Sequence, residues 1–103
     1  MKKEGPDIRD ENVKTMDELK TETIKWLDKL EKEIKDIQPT DKLDKKIMKG
    51  VIENIKAYIQ DTKHFLKKKD YTRAFEAIIY AWGIWETIRR CNLVENVKQS
   101  TTD

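Results

Sequence analysis

Cysteine is almost absent. Cys91 is the only one among 103 residues, so no disulfide can close within the chain, and a reducing cytoplasm is the expected home. Histidine is as scarce, with His64 alone, and one thiol plus one imidazole excludes a Cys/His zinc site. Two prolines and three glycines leave long segments unbroken, which argues against a β-rich fold, where a small domain needs a turn signal every ten residues or so. Aromatic residues make up only 8%, so the core must come from stripes of Leu, Ile, Val and Trp rather than from thick buried sheets. Long hydrophobic runs are missing too. The longest charge-free stretch, residues 77–85, falls far short of the ~20 apolar residues a helix needs to cross a bilayer. The opening MKKEGPDIRDENVK lacks the apolar segment of a signal peptide, so no membrane partner is expected.

What is abundant is charge. Asp, Glu, Lys and Arg account for 41% of the residues, yet 22 basic and 20 acidic side chains nearly cancel to +2. Such balance gives no general pull toward nucleic acid or acidic lipid. The length allows one domain with a single modest core. Residues 1–14 mix both charges around Gly5-Pro6 without an apolar period and read as a mobile arm.

Thr15 followed three residues on by Glu18 is a capping-box pattern at a helix start. Leu19, Thr23, Trp26, Leu27, Leu30, Ile34 and Ile37 then recur at steps of three and four, predicting a first helix over residues 16–37 that Gln38-Pro39 ends. Thr40 or Asp41 can cap a second helix, over 42–68, whose apolar stripe runs from Leu43 and Ile47 to Phe65 and Leu66. The short connection at 38–41 makes these two antiparallel neighbours. Asp70 caps a third helix over 71–91, and Asn92 can take the left-handed backbone that closes it. The expected architecture is all-α, an antiparallel three-helix bundle over residues 15–94, with 95–103 a polar, frayed tail.

The third helix concentrates the apolar surface. Its stretch AFEAIIYAWGIW, residues 74–85, carries one charge, Glu76. On a helical wheel, apolar residues cover about half its circumference, which predicts that it packs in the groove between the other two. A remainder lies outward. Ile79 falls at the edge of the polar side beside Phe75 and Trp82, and Gly83 sits among polar positions with Glu76, Tyr80 and Thr87. An interior glycine costs about 1 kcal/mol relative to alanine and invites a reason such as close approach by another chain. Phe75, Ile79, Tyr80, Trp82 and Gly83 therefore form a candidate protein-interaction patch, for another protein or for a second copy in a homodimer.

No catalytic set is legible. His64 has only Asp61 near it on one helix face, without a pocket or a second orienting group. Cys91 follows Arg89 and Arg90 but lies at a helix C-terminus, where the dipole disfavours a thiolate. Phosphate-cradling glycine loops and Ser/His/Asp sets are missing, so neither cofactor nor metal is expected. Nucleic acid is the alternative partner. Residues 41–70 hold nine Lys against five Asp or Glu, and Lys67, Lys68, Lys69 and Arg73 cluster at one turn, where they could meet RNA phosphates without reading sequence.

Over residues 63–93 the chain resembles the archaeal family known as domain of unknown function 357. Asp70-Tyr71, Ala74-Phe75, Ala77-Ile78, Tyr80-Ala81 and Gly83 carry the likeness. Two glycines common in that family are replaced by Lys69 and Asn92, and Ile79 and Trp82 stand where some relatives carry polar Asn and His. The resemblance implies a helical bundle in an archaeal cytoplasm and brings no known activity with it.

Overall fold

The computed structural model describes residues 15–97. The expected arm at 1–14 and the last residues of the expected tail lie outside that range. Three helices follow in order, α1 (Met16–Glu33), α2 (Lys45–Lys67) and α3 (Tyr71–Arg90), with two short strands, β1 (Ile37–Pro39) and β2 (Val94–Asn96).

Each helix begins where a side chain satisfies amides that have no intrahelical partner. At α1 the capping box is complete: the Glu18 amide donates to Thr15 Oγ1 at 3.1 Å, and the Thr15 amide donates to Glu18 Oε1 at 2.8 Å. At α3 the Arg73 amide donates to Asp70 Oδ1 at 3.2 Å. At α2 the cap is Asp44, whose Oδ2 accepts from the Ile47 amide at 3.2 Å, in place of the expected Thr40 or Asp41. Thr40 is committed elsewhere, its amide bonded to the Leu93 carbonyl and its hydroxyl to the Asn92 carbonyl. Leu43 therefore precedes the helix and is exposed, as is Ile47 at the first turn.

The ends of α2 and α3 close identically. Lys69 (φ 61°) and Asn92 (φ 57°) are left-handed, and each pair of following amides folds back. Lys69 and Asp70 donate to the carbonyls of Leu66 and Phe65; Asn92 and Leu93 donate to those of Arg89 and Ile88.

The expectation that α1 runs to Ile37 is corrected. The helix stops at Glu33, with Ile34 as its cap, because residues 37–39 are taken into a strand. β1 pairs antiparallel with β2 in the register Ile37↔Asn96, Gln38↔Glu95 and Pro39↔Val94. Pro39 has no amide to give, yet the ribbon is extended on both sides of it by Thr40 to Leu93 and Val97 to Asp36 bonds. Glu95 and Asn96 are thus ordered strand and not frayed tail, and Val94 enters the core.

Leu27 and Leu30 of α1 with its cap Ile34, Met48, Ile55 and Ile59 of α2, and Ile78, Ala81, Trp82, Trp85 and Ile88 of α3 build that core. α3 packs along both α2 and α1, while α1 and α2 meet each other far less. The third helix is therefore the centre of the bundle, as its wide apolar arc predicts. Two hydroxyls inside it are satisfied locally: Thr23 Oγ1 donates to the Leu19 carbonyl and Thr62 Oγ1 to that of Tyr58.

Candidate functional site

The five residues of the expected interaction patch separate on the structure. Trp82 is core, with 1% of its surface exposed. Its indole Nε1 donates to the Trp26 carbonyl at 3.0 Å, and the two indole rings meet edge to face at 5.5 Å. Phe75 is half-buried against the same core. What faces outward is Ile79, partly exposed, then Tyr80, with 61% exposure, and Gly83. On the helical wheel Trp82 belongs to the apolar arc of α3, beside Phe75, and its burial follows that position and not the outward patch.

The outward residues follow one another at helical steps. Tyr80 is steadied from one side by Tyr58 of α2, the ring centroids being 5.7 Å apart at 35°. A Cβ added to Gly83 would meet no atom within 4 Å, so nothing inside the chain requires glycine there. One turn further, Thr87 Oγ1 donates to the Gly83 carbonyl at 2.9 Å, which removes its hydroxyl hydrogen from the demands of the face. Ile79, Tyr80, Gly83 and Thr87 thus make a neutral strip along the outer side of α3. Glu76 and Arg90 stand exposed at its ends, and Glu86 is half-buried at its border. One oxygen of that carboxylate, Glu86 Oε2, is buried without a hydrogen-bond partner.

The basic turn lies at a different place, where α2 ends and α3 begins. Lys67, Lys68 and Lys69 are exposed there. Arg73 is exposed at the same turn, with Nη1 3.3 Å from Oδ2 of Asp70, the cap of its own helix. The lysines also complement the negative end of the α2 dipole.

A shallow cleft of about 380 Å³ opens where α1, α3 and the ribbon meet, lined by Glu33, Ile37, Trp85, Arg89, Val94 and Glu95 among others. Sequence reasoning did not find it, because its walls come from segments far apart in the chain. Its principal charged groups already engage one another. Glu33 Oε1 accepts from Trp85 Nε1 at 2.8 Å and lies 3.8 Å from Arg89 Nη1, and the Arg89 guanidinium stands over the Trp85 ring at 5.8 Å. His64 is exposed on α2, its ring against Phe65. Cys91 is exposed at the α3 cap. Among the described residues no three His, Cys, Asp or Glu side chains gather as a metal site, and no helix is long and apolar enough to cross a membrane.

Comparison with known proteins places these features in a family. The model of the family described as protein of unknown function (DUF357) matches residues 25–94, from the middle of α1 through α3 to the first residue of β2. The crystal structure of a protein from Archaeoglobus fulgidus carrying the same family model is similar, at 34% sequence identity and a TM-score of 0.68, covering 80% of this chain and 97% of that one. No curated protein matches the chain. The likeness read from residues 63–93 therefore extends over all three helices, and the chain belongs to the DUF357 family.

Proposed function

We propose that this member of the DUF357 family is a non-catalytic protein-interaction module of an archaeal cytoplasm, docking another chain on the outer strip of α3. The observation that carries the reading is the contrast between that strip and the rest of the surface. In a chain that is 41% charged, Ile79, Tyr80, Gly83 and Thr87 on the outer side of α3 hold no charge, and Glu86 at their border is the one carboxylate between Glu76 and Arg90. The uncharged positions also include a largely exposed aromatic ring. Tyrosine offers a wide, stiff contact surface with a polar tip, the combination enriched at interface anchors. Gly83 costs the free helix about 1 kcal/mol relative to alanine, and packing inside the chain does not require the missing side chain, since a Cβ there would meet nothing within 4 Å.

The test is photocrosslinking. Purified protein carrying benzoylphenylalanine in place of Tyr80 is irradiated in an extract of its native cells, beside a control with the same group in place of the exposed Lys56 on α2. A discrete adduct from position 80 and none from position 56 supports the docking face. No adduct, or equal adducts from both, rejects it.

A second reading, RNA contact at the basic turn, is favoured by one observation. Lys67, Lys68 and Lys69 are exposed and take part in no ion pair among the described residues. It requires binding to a mixed-sequence RNA that weakens steeply with salt and disappears when the three lysines become alanine. Fluorescence anisotropy that shows no binding, or binding indifferent to salt, removes it.

A further inference from the structure

We infer that the chain docking on α3 is a second copy of this one, laid antiparallel across a twofold axis at Gly83. The inference rests on the interaction reading given above and names its partner. Residues three, four and seven places from Gly83 share its side of the helix. Seven places before it stands Glu76 and seven places after it Arg90. Both are exposed, and neither takes part in an ion pair among the described residues.

A twofold contact is self-complementary: what lies a given distance before the axis in one copy meets what lies the same distance after it in the other. Glu76 of each copy therefore meets Arg90 of the other, and the unlike pair occurs twice. A parallel pairing would set Glu76 on Glu76 and Arg90 on Arg90, which repels at both ends. One turn in from the charges, Ile79 and Tyr80 meet Glu86 and Thr87 of the other copy. Thr87 comes with its hydroxyl hydrogen already bonded to the Gly83 carbonyl, so its donor is not left unpaired. At the axis Gly83 meets Gly83, where the missing Cβ atoms, which would touch nothing in their own chain, let the backbones come close. From Glu76 to Arg90 the contact spans roughly 21 Å of helix at 1.5 Å per residue. It leaves the basic turn outside.

The test is sedimentation equilibrium over a wide concentration range on four proteins: wild type, Glu76→Arg, Arg90→Glu and the double reversal. The wild type dimerises. Each single reversal turns both end contacts into like pairs and weakens the dimer by roughly tenfold or more, and the double reversal restores it. All four keep the same far-ultraviolet circular dichroism, since the changed side chains are exposed. Wild type that stays monomeric up to its solubility limit overturns the inference, as does a dimer indifferent to both single reversals. The crosslink from position 80 separates this failure from that of the parent reading. An adduct with a protein of another mass overturns the second copy and leaves the docking face standing, whereas no adduct overturns both.

Discussion

The indole of Trp82 donates its hydrogen to the main-chain carbonyl of Trp26, 3.0 Å away, while the two rings meet edge to face. One side chain of α3 is thus fixed at once to the backbone and to the side chain of α1. This is the seam that the more extensive contact of α3 with α2 does not supply. Replacing Trp82 by Phe removes the donor and part of the buried volume. A loss of about 2–3 kcal/mol in unfolding free energy is expected from the hydrogen bond and the cavity together. Urea denaturation followed by circular dichroism measures it. A loss below about 1 kcal/mol would mean that the seam is held elsewhere.

Ile79 is three residues away on the same helix, and it should behave in the opposite way. Partly exposed and absent from the set of side chains packed on the core, it has little to lose inside the chain. Ile79→Asp should cost no more than about 1 kcal/mol of stability, as surface substitutions do, while abolishing association seen in sedimentation. Collapse of the fold would place Ile79 in the core and remove the strip from consideration.

These two residues also mark how far the sequence alone could be read. Helix starts at Thr15 and Asp70 and the left-handed stop at Asn92 were legible, because each depends on chemistry within a few residues. The place of α3 at the centre followed from its wide apolar arc. The ribbon was not legible. Ile37 continues the helical period of Leu30 and Ile34, and three-residue strands carry no alternation from which a pairing could be inferred. Nothing local connects Gln38 with Glu95, 57 residues apart. The second helix start was misplaced for the same reason, since Thr40 is drawn away by Asn92 and Leu93 from the other end of the chain. In the candidate patch, the wheel positioned Tyr80 and Gly83 on the polar side, where they are exposed, and Ile79 at its edge, where it is partly exposed; Trp82 lay in the apolar arc, and its burial agrees with that arc and not with the patch.

Gly50 and Gly83 form a matched pair of probes. Each is exposed in a helix, and at each an added Cβ meets nothing within 4 Å. Alanine at either position should stabilise the dilute monomer by about 0.5–1 kcal/mol, through helix propensity and a less flexible unfolded chain. Their effects on association should differ. Gly50→Ala leaves it unchanged, whereas Gly83→Ala places two methyl groups at the proposed axis and weakens it. Thermal melts at low concentration give the first comparison and sedimentation the second. Equal behaviour in both would show that Gly83 is an ordinary tolerated glycine.

Lys69 raises a question of stability set against surface charge. It occupies the left-handed position that ends α2 at φ 61°, where a side chain is strained by roughly 1–2 kcal/mol relative to the right-handed region and glycine is not. The amides of Lys69 and Asp70 are nevertheless both bonded back to α2, so the turn itself is complete and needs only relief of the strain. Lys69→Gly should raise unfolding free energy by about 1 kcal/mol, part of the relief being offset by the greater freedom of an unfolded glycine. Lys69→Asn should fall between the two, since asparagine tolerates this backbone and Asn92 already does so at the end of α3. Lys69→Ala removes the charge but keeps a Cβ in the strained region, and so should leave stability close to that of the wild type. If glycine and alanine stabilise equally, the gain comes from lifting repulsion among Lys67, Lys68 and Lys69 and not from the backbone. The two causes separate further in salt, because screening weakens a charge effect and leaves a backbone effect untouched.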